Sequence, residues 1–179
     1  KRLGFLVEKV LQMSLFERQK ATLKLKELDA NDLIISVANT FALKVEKYGG
    51  TLDLDLDALD STIYVDEMHI TNVLFNLMDN AVKYRRQDVP LALLVRTWNE
   101  NGKLHISVED NGIGIKKEYL KKVFDRFFRV PTGNKHDVKG FGLGLAYVRK
   151  IIEDHKGSIR AEQGNNNIGT KFIITLHLL

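Results

Sequence analysis

The sequence predicts a two-layer α/β (α+β) sandwich in which helices pack on one mixed, mainly antiparallel sheet. Three observations lead there. Apolar residues recur three and four apart in several long segments, as in helices with one buried face. Between these segments lie short stretches that alternate apolar and polar residues or are rich in β-branched ones, as strands do. Asn101-Gly102 sits between two apolar runs, the strongest short hairpin signal available. Helices interleaved with strands of this kind bury their apolar sides as a helical layer on a sheet. With 179 residues, 44% hydrophobic and 28% charged, the chain suits one domain with its own core and a short appendage.

From Lys1 to about Lys20, Leu3, Leu6, Val10 and Met13, broadened by Val7 and Leu11, form a stripe that needs a partner helix; the alternative is a core helix of one compact domain. The chain starts inside this pattern without an initiator Met, so a piece of a larger protein is expected. Leu23-Lys24-Leu25-Lys26 has the period of a half-buried strand. Asp29 or Asn31 can cap a helix whose inward face is Leu33, Ile34, Val37, Phe41 and Val45 and which ends at Gly49-Gly50. Thr51 to Asp57 and Thr62 to Val65 follow as strands. The alternating aspartates suggest a calcium loop, but its turn glycine and terminal glutamate are missing, so a solvated strand face is expected. Asp66 can cap the next helix. Leu91 to Trp98 and Leu104 to Val108 form the hairpin around Asn101-Gly102, and Lys116 to Phe128 is predicted helical. Pro131 to Gly140 has the composition of a mobile loop. Leu143 to His155 is a helix closed by Gly157. Ser158 to Gln163 and Thr170 to Leu178 make a final hairpin, with Phe172, Ile174 and Leu176 on one face and Lys171, Ile173 and Thr175 on the other.

Composition excludes some chemistry. Without cysteine there is no disulfide framework, thiolate metal site or thiol nucleophile. The net charge of +4 is spread along the chain with no basic face interleaved with aromatics, so no nucleic-acid partner is expected. No apolar run reaches membrane-spanning length, and Lys1-Arg2 is not followed by the apolar region of a signal peptide.

Asn72, Asn76 and Asn80 are spaced i, i+4, i+8 and so stack on one helical face, while Leu74, Leu77, Met78 and Ala81 supply an apolar side. Asn is a middling-to-poor helix former because its amide competes with the backbone, so three in register point to a ligand rather than to a merely solvated face. Downstream, Asp110-Asn111-Gly112-Ile113-Gly114 follows an apolar strand, and Gly140-Phe141-Gly142-Leu143-Gly144-Leu145 opens a helix. Glycines there let an anion approach the first free N–H groups and the positive end of the helix dipole. The spacing is neither a Walker A loop nor a dinucleotide fingerprint.

Together these blocks resemble the ATP-binding domain of sensor histidine kinases, a Bergerat-type fold in the superfamily that includes gyrase-type topoisomerases, heat-shock chaperones and mismatch-repair ATPases. Asn76 to Tyr84 resembles the family's N box, Val108 to Ile115 its G1 box, Val123 to Arg129 its F box and Lys139 to Leu145 its G2 box, in the family's order, and with the flanks the likeness covers nearly the whole chain. It implies ATP and Mg²⁺. Asn80 becomes the magnesium ligand, Asn76 a support for the phosphate and metal water network, and Lys83 a point charge for phosphate oxygens. Asn72 lies outside the motif's usual core, and Tyr84 packs against the base or its pocket wall unless it is a core residue. Asp110 accepts the adenine amino group's hydrogen bond, with Gly112 and Gly114 admitting the base, the alternative being an exposed turn aspartate. Lys139, Gly140, Gly142, Leu143, Gly144 and Leu145 surround the triphosphate. Arg129 touches phosphate or docks on the acceptor helix, Phe124, Phe127 and Phe128 anchor the lid, and Lys135 and His136 can reach phosphates or be solvated. Phe141 departs from the small residue usual at its position.

The resemblance makes residues 1–20 the end of the second helix of a dimerisation hairpin and residues 21–179 the catalytic domain. The expected activity is transfer of the ATP γ-phosphoryl to a histidine on a dimerisation helix of the same or the partner protomer, then to a response regulator's aspartate, in a homodimeric, membrane-anchored bacterial sensor whose catalytic part is cytoplasmic. None of His69, His105, His136, His155 and His177 has the acidic neighbour and following proline usual for the acceptor. His105, His155 and His177 are expected to be structural, and His69 a helix-surface residue. Two rivals are a hydrolytic ATPase, which in this superfamily has a glutamate at the place of Asn76, and a pseudokinase that binds nucleotide or only its partner.

Overall fold

The computed structural model describes residues 22–128 and 143–179, apart from the side chain of Leu143. Local chemistry sets the helix ends. Asp29 accepts the Asp32 N–H at 3.2 Å and starts helix α1 (Ala30–Lys47), which the chain leaves through Gly49 at φ 69°. Asp66 accepts the His69 N–H at 3.0 Å and starts α2 (Glu67–Lys83), the asparagine helix. Helix α3 (Leu143–Asp154) ends with Gly157 N–H on Ile152 O and Lys156 N–H on Glu153 O, both 2.9 Å, a Schellman pairing. Lys156, rather than Gly157, takes the left-handed φ, 62°. Gly157 is needed because a Cβ there would press on the Thr175 carbonyl.

The strands fall into two sheets, although the sequence predicts one. Strands β1 (Leu25–Asp29) and β3 (Thr62–Asp66) pair antiparallel with each other alone, from Leu25↔Asp66 to Asp29↔Thr62. The main sheet has the order β2-β4-β5-β7-β6, from β2 (Thr51–Leu56), β4 (Ala92–Glu100), β5 (Lys103–Asp110), β7 (Thr170–His177) and β6 (Ser158–Gln163). Only β2 with β4 is parallel, so the sheet is mixed and mainly antiparallel as expected. Asn101 and Gly102, both at positive φ (55° and 71°), make the β4–β5 turn, and their twist matches that of the strands. Asp53 is exposed and Asp55 pairs with Arg96 at 3.4 Å, a solvated strand face.

Three helices cover one face of this sheet. Ile34, Val37 and Phe41 of α1, Val73, Leu74, Leu77 and Met78 of α2, and Val148, Ile151 and Ile152 of α3 meet Leu93, Val95, Leu104, Ile106, Val108, Phe172, Ile174 and Leu176 of the strands in one core. Each large apolar side chain buried there contributes about 1.5–3 kcal/mol against exposure. Ile173 lies on the opposite face yet is also buried.

Lys116 to Phe128 is not a helix. It holds two short 3₁₀ turns, Lys117–Tyr119 and Lys122–Phe124, after which Asp125 is extended and Phe127 sits at φ 65°. Its apolar residues are anchored one by one: Phe124 edge-on to Phe172 at 6.0 Å, and Phe128 against Tyr119 at 5.7 Å. Phe127 is 56% exposed and makes no ring contact among the described residues.

Candidate functional site

Helices α2 and α3 meet along the asparagine face. The Asn76 amide donates from Nδ2 to the Asn72 carbonyl, 2.8 Å away, which fixes the amide and turns Oδ1 toward α3. There a Cβ on Gly144 would come within 3.2 Å of that oxygen, so the helix approaches Asn76 closely because Gly144 has none. One turn along the seam, Tyr147 Oη lies 2.8 Å from His69 Nδ1 and takes a 3.5 Å bond from Asn72 Nδ2. His69 is therefore a seam residue, not simply a surface one. Burial pushes the Tyr147 hydroxyl above its ordinary range. Asn80 is half-buried, and its amide makes no hydrogen bond among the described residues. Lys83 lies 3.4 Å from Asp79.

Strand β5 delivers the second part. Asp110 is 8% exposed, and its Oδ1 accepts the N–H of Gly112 at 2.8 Å and of Thr170 at 3.3 Å. Oδ2 takes no bond among the described residues. Burial pushes the carboxyl up to about 6 against the pull of those two bonds, with Glu109 adding to the rise. The following loop is fastened to the end of α2. Ile113 N–H bonds Tyr84 O at 2.9 Å, Arg86 Nε donates to Asn111 O at 2.8 Å, and a Cβ on Gly112 would collide with the Tyr84 carbonyl. Gly114 takes φ 76°, and Gly169, at φ 71°, leaves room for the Asp110 carbonyl.

The structure thus brings Asn76 to Gly144, with Asn80 and Lys83 further along the same helix, and separately gathers Asp110, Gly112 and the Tyr84 backbone, with Gly114 following in the same loop. Leu145 is half-buried against the core. Arg129, Lys135, His136, Lys139, Gly140, Phe141 and Gly142 lie outside the described residues, as do residues 1–20. Sequence reading missed Arg86, Asn111 and Thr170. Asn111 holds the loop through Ala92 N–H on its Oδ1 (2.8 Å) and its own Nδ2 on Pro90 O (3.0 Å). Its place inside Asp-Asn-Gly was a usable signal; Thr170 reaches Asp110 across 60 residues and gave none.

Chemically, one end offers a buried carboxylate oxygen that can accept a hydrogen bond. The other offers neutral amide oxygens, a lysine and the first N–H groups of a 12-residue helix, a setting for an anion. Among the described residues no group of three or more His, Cys, Asp or Glu is placed to hold a metal ion. A hard cation drawing ligands from a bound polyphosphate, with an amide oxygen beside it, suits this donor set. No helix among the described residues is long and apolar enough to cross a membrane.

Comparison with known proteins bears on the family and the fold. Residues 65–179 match the family model of the histidine kinase-, DNA gyrase B- and HSP90-like ATPases. The chain is 72% identical over 179 residues to the sensor protein RprX of Bacteroides fragilis, covering all of this chain and 34% of that protein. The catalytic domain of histidine kinase ThkA superposes with a TM-score of 0.74 at 31% identity, covering 87% of this chain and 96% of that one. ThkA in complex with the response regulator protein TrrA gives 0.77 at 27% identity, covering 98% of this chain and 48% of that one.

Proposed function

The chain belongs to the histidine kinase-, DNA gyrase B- and HSP90-like ATPases and is the ATP-binding catalytic domain of a sensor histidine kinase, and from that premise we propose how its residues divide the work of phosphoryl transfer. Asp110 Oδ2 accepts the adenine amino group, and the loop through Gly112 and Gly114 frames the base. Lys83 draws the phosphate oxygens, with Lys139, Gly140, Gly142, Leu143, Gly144 and Leu145 around the triphosphate and Arg129 at its edge. Asn80 would hold Mg²⁺, and Asn76 would support the metal and the phosphates beside it. Bound Mg²⁺ would neutralise charge on the transferring phosphoryl group. The protein's share is positioning: α2 holds its oxygens in register, and α3 aims its N-terminus at the anion.

The acceptor in this reading is a histidine on a dimerisation helix, taking the γ-phosphoryl on a neutral imidazole nitrogen as ADP leaves. Residues 1–20 are the end of that hairpin's second helix, in keeping with a catalytic-domain structure covering 87% of the chain and a longer kinase covering 98%. The ThkA complex with TrrA supports a response regulator as the next acceptor. A homodimer, and a membrane anchor elsewhere in the polypeptide that leaves this domain in the cytoplasm, complete the proposal.

The observation that carries it is Asn76 Oδ1 turned to the start of α3 at Gly144, with the open oxygen of Asp110 at the far end. Calorimetric titration of ATP with and without Mg²⁺ tests it. Asn80→Ala should cut binding in Mg²⁺ about tenfold and change it little in EDTA; equal affinity for wild type and variant in Mg²⁺ removes Asn80 as the metal ligand.

A further inference from the structure

Asp79 stands between two lysines. Its Oδ1 accepts from Lys44 Nζ of α1 at 2.6 Å, while Lys83, one turn along on its own helix, lies 3.4 Å from Oδ2. Burial alone would raise the Asp79 carboxyl, but the Lys44 hydrogen bond and the charges of both lysines hold it below the usual carboxylate range. The Lys44 ammonium also lies 5.8 Å from the centre of the Phe41 ring, which packs against Phe75 at 6.3 Å. Thr40, Phe41, Lys44, Asn72, Phe75, Asn76 and Asp79 line one groove of about 380 Å³, so the Lys44–Asp79 pair shares a recess with an asparagine of the nucleotide face.

A carboxylate beside a phosphate-binding lysine works against it. It repels the anion and, if it holds the lysine tightly, cancels the charge the anion needs. We propose that Lys44 is a positioning residue for nucleotide binding: by taking the close hydrogen bond of Asp79 from the neighbouring helix, it keeps Lys83 loosely tethered and available to the triphosphate. This rests on the reading of Lys83 as a phosphate ligand. Remove the Lys44 ammonium and Asp79 turns its full charge on Lys83, four residues away on the same helix, where such pairs form readily. The contact between α1 and α2 thus sets the strength of the phosphate site, and anything that shifts α1 would tune it.

The test is a double-mutant cycle on the whole chain, titrating Mg-ATP and, as a ligand lacking the outer phosphates, AMP at low salt. Lys44→Met should weaken Mg-ATP about threefold, the range of an exposed ion pair, and leave AMP unchanged. In a chain already carrying Asp79→Asn, Lys44→Met should change neither ligand. An equal loss in both backgrounds would mean that Lys44 acts only through its own distant charge, and equal loss for ATP and AMP would mean a structural brace; either overturns the proposal. Lys83→Met separates the two levels. If it weakens Mg-ATP while Lys44→Met does not, the partition fails and the phosphate reading stands; if Lys83→Met also has no effect, the reading of Lys83 falls with it. Unchanged melting temperatures confirm that the variants compare folded chains.

Discussion

Asp110 accepts both of its described hydrogen bonds on one oxygen, and the side chain is only 8% exposed. Burying the charge of a carboxylate is costly to a chain with no ligand. Because folding raises its pKa from 3.8 to about 6, its contribution to stability is fully present below pH 4 and lost as pH rises through 6. Asp110→Asn keeps an oxygen for the Gly112 and Thr170 N–H groups and removes the charge. It should stabilise the nucleotide-free chain at pH 7.5 by on the order of 1–3 kcal/mol, with the gain vanishing toward pH 4, as thermal melts at the two pH values would reveal. The same carboxylate should prefer ATP to GTP by roughly tenfold to several hundredfold, since guanine presents a carbonyl to it and leaves two acceptors facing each other. Displacement of a fluorescent ATP analogue measures that ratio. Asp110→Asn, with a donor toward the base, should erase the preference, and equal competition by ATP and GTP in the wild type would take Asp110 out of base recognition. Its burial was legible, because an apolar strand leads straight into Asp-Asn-Gly; its partner Thr170 was not, because no local pattern reports a contact across 60 residues.

At the scale of elements, the helices were legible where periodicity and caps agreed, as in α2 with Asp66 before it and the apolar stripe behind its asparagines. Lys116 to Phe128 shows where that logic fails. Tyr119, Val123, Phe124 and Phe128 have helical spacing, but tertiary anchoring of single rings on β7 and on each other wins over a continuous helix. Two glycines called phosphate- or base-admitting from sequence now separate physically. Among the described residues a Cβ on Gly144 meets only the side-chain amide of Asn76, whereas one on Gly112 meets the backbone of Tyr84. Gly144→Ala should therefore leave the melting temperature unchanged or higher, helped by up to about 1 kcal/mol of helix propensity, while weakening Mg-ATP several-fold as the Asn76 amide is displaced. Gly112→Ala should lower the melting temperature outright. A Gly144→Ala chain that binds Mg-ATP normally would mean that the Asn76 orientation does not matter to the triphosphate.

For the whole molecule, the class of fold follows from alternating patterns, but the pairing does not. That β2 lies parallel to β4, or that β1 and β3 leave the main sheet, depends on contacts between segments whose local sequences look alike as strands. The histidines lead to a prediction about the whole chain. His105 stacks on Trp98 at 5.4 Å and lies 3.0 Å from Thr175 Oγ1; His155 takes the Asp66 N–H on Nε2 at 3.0 Å while its Nδ1 faces Ile151 O at 2.7 Å; His69 is tied to Tyr147. Each of these rings has structural partners, and His105 and His155 each have both nitrogens engaged, so none is offered as a nucleophile. The chain should bind Mg-ATP yet take up no phosphoryl group on its own, and should transfer label only when a polypeptide bearing an acceptor histidine on a dimerisation helix is added. Incubation with γ-labelled ATP followed by acid and alkali treatment reads this directly. Acid-labile, alkali-stable label on the chain alone would mean that one of its own histidines is an acceptor, and mapping it to His136 or His177 would relocate the chemistry within the domain.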